Sequence, residues 1–328
     1  MTRTVTVVVP AFNEGEAIRA FHERLSQALE PLDEGWTVLY VDDGSTDDTV
    51  SHLADLRERD NRVGLMRLSR NFGKEIAITA GLDHAEGDAV IVMDADLQDP
   101  PELVPNLVAE WRDGWDVVYG RRSAREGDSL TKRFTAHGFY RLMRRVSDTA
   151  IPEDVGDFRL MDRRVVDALG QLRERNRFMK GLFSWVGFRQ REVPYRREAR
   201  HAGRSKWSYW RLWNYALDGI TSFTVAPLKI ATYLGLLTAL GAFVYGSWII
   251  VKTLVYGADV PGYPSLMVVI LFLGGIQLIA LGIIGEYLGR LFMESKQRPL
   301  YLIDRFEAPG SEKEASGETS RRDAETQS

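Results

Sequence analysis

Cysteine is absent from the 328 residues, which excludes disulfides and thiolate metal sites and fits a reducing compartment. No Gly-x-Gly-x-x-Gly occurs and no Gly-Lys-Ser/Thr loop, so neither the dinucleotide fingerprint nor the P-loop can cradle a phosphate. Charge on a bound diphosphate would have to be met by a metal and by basic side chains. His201 has no second His or Cys nearby and reads as a surface residue, not a metal ligand. The N-terminus, Met1-Thr2-Arg3-Thr4, lacks a signal-peptide pattern and runs straight into a strand-forming stretch.

Two long stretches lack charge altogether. Ile230 to Val251 is 22 residues and Val260 to Gly285 is 26. At about 1.5 Å per residue, either helix covers a hydrocarbon core of roughly 30 Å. Both are expected to span the bilayer. The connection from Thr253 to Ser265 carries one Asp and no Lys or Arg, whereas Lys206, Arg211 and Lys229 flank one side and Arg290, Lys296, Arg298 and Arg305 the other. The positive-inside rule then places both long ends in the cytoplasm, giving a multi-pass membrane protein with both termini cytoplasmic. Gly274, Gly275, Gly282 and Gly285 allow close helix packing within or between subunits, so a homo-oligomer stays open.

What is present is unevenly charged. The net charge of −4 hides eight Lys/Arg against two acids from Arg121 to Arg145, and the same balance from Gly187 to Arg211. Arg125 to Arg145 carries an apolar helical stripe at Phe134, Phe139, Leu142 and Val146, the signature of a membrane-surface helix or of a solvated helix face. Trp207, Tyr209, Trp210, Trp213 and Tyr215 crowd together before the first span and suit a helix at the headgroup level. The tail after Phe306 is rich in Glu, Ser and Gly and is expected to be disordered.

The remaining chain alternates strand and helix patterns. Thr4–Val9, Trp36–Val41, Val63–Leu68 and the run from Val90 read as strands, with a fifth from Trp115 to Tyr119. Glu16–Leu29, the stretch around Val50, Leu53 and Leu56, and Glu75–His84 read as helices. That order implies an α/β fold with a mainly parallel sheet covered on both faces. Ligands of such sheets bind at the strands' carboxyl edge, where Asn13, Glu14, Asp42, Lys74, Asp94 and Asp96 collect. The fourth strand ends in Asp94-Ala95-Asp96-Leu97-Gln98, two carboxylates and an amide that offer hard oxygen ligands to Mg²⁺ or Mn²⁺ beside substrate phosphates. Ser45 or Asp47 can cap the second helix.

Four blocks, Val9-Pro10-Ala11-Phe12-Asn13-Glu14, Val41-Asp42-Asp43-Gly44-Ser45-Thr46-Asp47, Asn71-Phe72-Gly73-Lys74 and Asp94 to Glu102, stand in an order and spacing that resemble family 2 glycosyltransferases. Within that family they look like the polyprenyl-phosphate glycosyltransferases, the dolichol-phosphate mannose synthases and bactoprenol glucosyltransferases. The resemblance covers roughly residues 4–300, and two C-terminal spans are similar to the bactoprenol branch. It implies a GT-A (Rossmann-like) domain, a nucleotide-sugar donor, a divalent metal, a polyprenyl phosphate acceptor and inversion at the anomeric carbon. On that reading Asp94, Asp96 and Gln98 hold the metal. Pro10, Asn13, Glu14, Asp42, Lys74, Asp94, Arg204 and Lys206 contact the donor, the last two on a mobile loop. Arg122 and Arg133 hold the acceptor phosphate, with Arg121 or Lys132 as substitutes. Asp157, in Gly156-Asp157-Phe158-Arg159, is either a general base or an orienting residue, since an acceptor phosphate is already anionic. The Gln-x-x-Arg-Trp signature of processive synthases is missing, and Asn176 to Leu182 stands in its region.

The expected division is a GT-A domain over 1–203, an interfacial helix over 204–227, two spans over 228–290, a juxtamembrane segment over 291–306 and the tail from 307. The expected partners are the donor, the lipid phosphate and the bilayer, with nucleic acid excluded. UDP-glucose is the preferred donor and GDP-mannose the alternative. A sugar-1-phosphate nucleotidyltransferase would have no use for the spans, and a non-catalytic lipid-phosphate scaffold would leave the acids unexplained.

Overall fold

In the first strand, β1 (Thr4–Ala11), Val5, Val7 and Val9 enter one core and Val8 the other, all four fully buried. Side chains alternate across a strand, so a β-branched run of this kind suits a central position covered on both sides. The computed structural model bears this out; it describes residues 3–122, 155–175, 177–195, 224–257 and 262–311. β1 pairs in parallel with β2 (Gly35–Asp42) and β4 (Ala89–Val92), and β2 in parallel with β3 (Val63–Leu68).

Helices α1 (Ile18–Leu29) and α2 (Thr49–Arg59) contribute Ile18, Phe21, Leu25 and Leu53 to one core, while α3 (Lys74–His84) contributes Ala77, Ile78 and Ala80 to the other. The chain therefore steps outward from β1 to β3 along one face and returns to β4 across the opposite face. Strand order reverses between β1 and β4, and the crevice at such a switch point is where open α/β sheets bind ligands.

The other half contains α4 (Val104–Arg112), β5 (Val117–Arg122), β6 (Val155–Asp162), α5 (Arg163–Gln171), α6 (Met179–Trp185) and β7 (Gln190–Tyr195). With the C-terminal strand β8 (Ile303–Glu307), the sheet has 8 strands in the order β7-β5-β6-β4-β1-β2-β3-β8. β6 runs antiparallel to β4 and β5, and β8 antiparallel to β3. Six of the 8 strands therefore run in one direction, so the sheet is mainly parallel as expected, with β6 and β8 as its antiparallel members. Parallel pairing needs a crossover between neighbouring strands. β6 and β8 instead enter beside strands that they do not follow through a single crossover helix.

Helices α7 (Ala226–Tyr256) and α8 (Tyr263–Ser295) are 31 and 33 residues long and are long and apolar enough to cross a membrane. Their apolar side chains are exposed, as Leu236 and Leu271 show at 66% and 67%. α8 continues ten residues past the expected end of its span. In its last turns Arg290 pairs with Glu286, and Glu294 accepts from the Arg175 backbone N–H at 2.6 Å.

The segment beyond α8 corrects two boundaries. Residues 303–307 form a sheet strand inside the region expected to be juxtamembrane chain and tail, and ordered contacts continue to Ser311. Arg57 fixes this strand, pairing with Glu307 and donating to the carbonyls of Val63 (2.8 Å) and Ala308 (3.0 Å). The stretch has too few apolar residues for composition to reveal a strand that lies on an exposed edge. Residues 312–328 lie outside the described residues, as does most of the expected interfacial helix.

Candidate active site

Two loops at the carboxyl edge are pinned to one another by backbone groups. Asn13 sits at φ 55, its N–H donating to Ser45 Oγ at 3.0 Å while its Oδ1 accepts from the Thr46 N–H at 2.9 Å. The Glu14 N–H donates to Thr49 Oγ1 at 2.9 Å. Pro10 is a buried strand residue in register with Val41. Asp42 is fully buried and takes the Ser45 N–H on both oxygens at 3.2 Å. Burial pushes Asp42 above the ordinary carboxylate value, against Ser45 and Arg67.

Asn13 and Asp42, expected to contact the donor, therefore first order the loop that would receive it. Ser45 caps no helix; Asp47 accepts from the Thr49 N–H at 3.1 Å and Oγ1 at 2.6 Å, closing the turn into α2. Gly44, at φ +73, turns against the backbone of Arg70 and Asn71, where a Cβ would come within 2.7 Å. Asp43 then accepts from the N–H groups of Phe72 and Gly73 at 2.7 and 2.9 Å, which fixes the entry to α3 and so the position of Lys74.

The acids come together through strand pairing. Val92 of β4 stands opposite Arg159 of β6, and extending that antiparallel register by two residues sets Asp94 opposite Asp157. Lys74 lies between them, 2.7 Å from both oxygens of Asp94 and 2.5 Å from Asp157 Oδ2. Burial acts to lower Lys74, but with 43% of its side chain exposed the two carboxylates prevail and hold the ammonium above its usual value. Asp94 is raised by burial and by the Asp157 charge, with Lys74 opposing. Asp157 faces the same burial, yet Lys74, Lys180 and Arg159 outweigh it and hold it at about 2.

Past Asp94 the chain makes a strained turn. Leu97 is buried at φ 58, a conformation that costs a non-glycine residue about 1 kcal/mol or more. The turn lets the Gln98 N–H donate to Asp96 Oδ1 at 3.1 Å and brings Asp99 into the interior at 2% exposure. Asp94, Asp96 and Gln98 are half-buried along the cleft.

Three further residues belong to this centre and escape the sequence reading. Glu75 accepts from the Met179 N–H at 3.1 Å, and burial followed by Asp157 raises it to about 7. Lys180 interacts with Asp157, Lys74, Arg122 and Glu75 and is lowered, first by burial. Arg159 is 4% exposed, lies 3.7 Å over the Phe183 ring and is lowered to about 10 by burial. Strand alternation could have flagged Arg159, since it shares a face of β6 with Asp157. No local pattern points to Lys180.

Arg122 ends β5 beside Asp99 and Tyr195 and is within reach of the Asp94 charge. Arg133, Arg204 and Lys206 lie outside the described residues. Among the described residues no group of three or more His, Cys, Asp or Glu side chains forms a metal cage. A hexacoordinate cation bound by one or two carboxylates and completed by substrate phosphates needs no such cage. By donor chemistry the oxygens of Asp94, Asp96 and Gln98 suit a metal of that kind, while here both Asp94 oxygens are held by Lys74.

The glycosyl transferase family 2 model matches residues 6–170, and the GtrB C-terminal hairpin model residues 226–291. Over 303 residues the chain is 53% identical to the glycosyltransferase sll0501 of Synechocystis sp., covering 92% of this chain and 95% of that protein. It is 51% identical to the bactoprenol glucosyl transferase of Shigella phage SfV, with coverages of 91% and 97%. The prophage bactoprenol glucosyl transferase homolog of Escherichia coli K12 is 49% identical, with coverages of 92% and 98%. The mannosyltransferase PcManGT from Pyrobaculum calidifontis, solved with GDP-Man and Mn²⁺, shows a TM-score of 0.45 at 17% identity, covering 86% of this chain and 88% of that one, too distant to bear on the assignment. The chain belongs to glycosyltransferase family 2: it is a glycosyltransferase whose GT-A-like sheet is followed by an apolar two-helix hairpin.

Proposed function

We propose that the enzyme transfers glucose from UDP-glucose to a polyprenyl phosphate at the cytoplasmic membrane face, with inversion. The observation that carries this reading is the likeness to the phage bactoprenol glucosyl transferase, which runs through both the acid edge and the hairpin at 51% identity over 301 residues. The chemistry of the site supports it. Asp94, Asp96 and Gln98 would hold Mg²⁺ or Mn²⁺, whose charge offsets that of the departing diphosphate. Arg204 and Lys206 are assigned to the same diphosphate, and Arg122 and Arg133 to the acceptor phosphate. Fixed charges aimed where charge develops, together with positioning, supply most of the rate.

Asp157 acts as an orienting residue on this reading. A general base works best with a value near the operating pH, and Asp157 is held at about 2. The acceptor phosphate needs no base, so Asp157 instead holds Lys74 against Asp94. Incubating the purified protein with polyprenyl phosphate and either UDP-glucose or GDP-mannose, with mass detection of the lipid, tests the proposal. A hexosyl-lipid phosphate formed from UDP-glucose is expected. Product from GDP-mannose alone would reassign the donor, and no lipid product with any nucleotide sugar would overturn the reading.

A further inference from the structure

Asp99 belongs to the same sequence block as the metal-binding acids, yet it faces the other way. Its Oδ1 accepts a short hydrogen bond from the Tyr195 hydroxyl, and the same hydroxyl accepts from Arg122 Nε at 3.4 Å. Arg122 Nη2 lies 4.0 Å from Asp99 Oδ1. Asp99 and Tyr195 are 2% and 6% exposed, whereas the Arg122 side chain keeps 26% of its surface open. Two buried groups thus grip one flank of a cation that still faces the cleft.

The backbone is shaped for this grip. Tyr195 ends β7 in register with Arg122 at the end of β5. Its ring packs edge-on against Phe158 and lies over Gly120, where a Cβ would come within 2.8 Å of Tyr195 Cε1. On the other side Gly156 leaves room for the guanidinium, since a Cβ there would stand 3.1 Å from Arg122 Nη2 and 3.8 Å from Asp99 Oδ2.

We propose that Asp99 and Tyr195 are positioning residues that orient the Arg122 guanidinium toward the acceptor phosphate. The proposal rests on Arg122 serving the acceptor, as assigned above. A guanidinium binds phosphate through a rigid planar fork, so its orientation matters as much as its charge. Tyr195 remains a hydroxyl donor at assay pH, because burial and then the Asp99 charge push it up. Asp99 contributes here through a hydrogen bond rather than as a metal ligand.

The test measures KM separately for polyprenyl phosphate and for the nucleotide sugar. Tyr195→Phe removes one hydroxyl and keeps the ring, and the acceptor KM is expected to rise roughly tenfold, the loss of one hydrogen bond to a charged group, while the donor KM stays unchanged. Asp99→Ala should do the same, and Asp99→Asn, which keeps an acceptor for the hydroxyl, should recover most of the loss. Gly156→Ala deletes no polar group and should still raise the acceptor KM by crowding the guanidinium. Equal changes in both KM values, or unchanged acceptor KM in Tyr195→Phe and Asp99→Ala, would overturn the proposal. Arg122→Ala is the control: if it leaves the acceptor KM unchanged, the assignment of Arg122 fails. If it raises that KM and the other variants do not, only the positioning role fails.

Discussion

Lys74 Nζ lies 2.5 Å from Asp157 Oδ2, and the same ammonium meets both oxygens of Asp94 at 2.7 Å. A residue from the start of α3 thereby joins an acid two residues past the end of β4 to one in β6. Lys74→Met would leave those carboxylates confronting one another, and one of them would take a proton. Transfer should fall at least about 100-fold through lost charge preorganisation. Stability should drop by about 1–2 kcal/mol, less than for a fully buried pair because Lys74 is 43% exposed. Product formation and thermal unfolding of the two proteins check both numbers.

Glu75 gives the site a pH signature. Burial and then Asp157 raise it from 4.5 to about 7, so between those values the folded protein binds more protons than the unfolded chain. Stability from this group is full below about pH 4.5, falls as pH rises to about 7 and is flat beyond. Asp157 has the opposite sign: held at about 2, it stabilises above its ordinary 3.8 and loses that contribution as pH falls toward 2. Glu75→Gln should flatten the decline in melting temperature between about pH 5 and about pH 8. An equal decline in both proteins would count against a buried, proton-holding Glu75.

Arg57 carries the docking of β8. It is 12% exposed, pairs with Glu307 at 2.5 Å and donates to Ala308 O and to Ser311 Oγ at 3.0 and 2.8 Å. Arg57→Ala should cost about 2–3 kcal/mol and make the chain after Leu300 more sensitive to protease, because several charge-assisted bonds are lost at once. Limited proteolysis in detergent reads this directly. Release of β8 would also bare the edge of β3, so the variant should aggregate more readily.

Gly81 lets α3 approach β1 and β2. A Cβ there would overlap Val8 Cγ1 and stand 3.1 Å from Val41 Cγ2. Gly81→Ala should destabilise the protein by about 1–3 kcal/mol despite the better helix propensity of alanine, because a strand core cannot yield as an exposed side chain does. A gain in melting temperature would contradict the close packing.

The parallel half of the sheet and the acid edge were legible because their signals are local. β-branched runs, turn glycines and the Asp-x-Asp block each act within a few residues. β6 and β8 were not legible in the same way. Val155–Asp162 mixes Asp157, paired with Lys74, and Arg159, stacked on Phe183, into its apolar pattern, and Ile303–Glu307 is an exposed edge with little to bury. Lys180 joins the centre only because α6 packs beside Glu75, a contact between residues about 100 positions apart. Asp99 shares a motif with Asp94 and Asp96, and only the turn at Leu97 separates its direction from theirs.

The most direct test of the central claim is release of nucleoside diphosphate from UDP-glucose in the presence of polyprenyl phosphate, followed for the native protein, for the native protein with EDTA, and for Asp96→Asn. The acid edge predicts that EDTA and the substitution each reduce release by at least about 100-fold, and that added Mg²⁺ or Mn²⁺ restores the native protein but not the variant. Undiminished release in EDTA, or native turnover by Asp96→Asn, would contradict it.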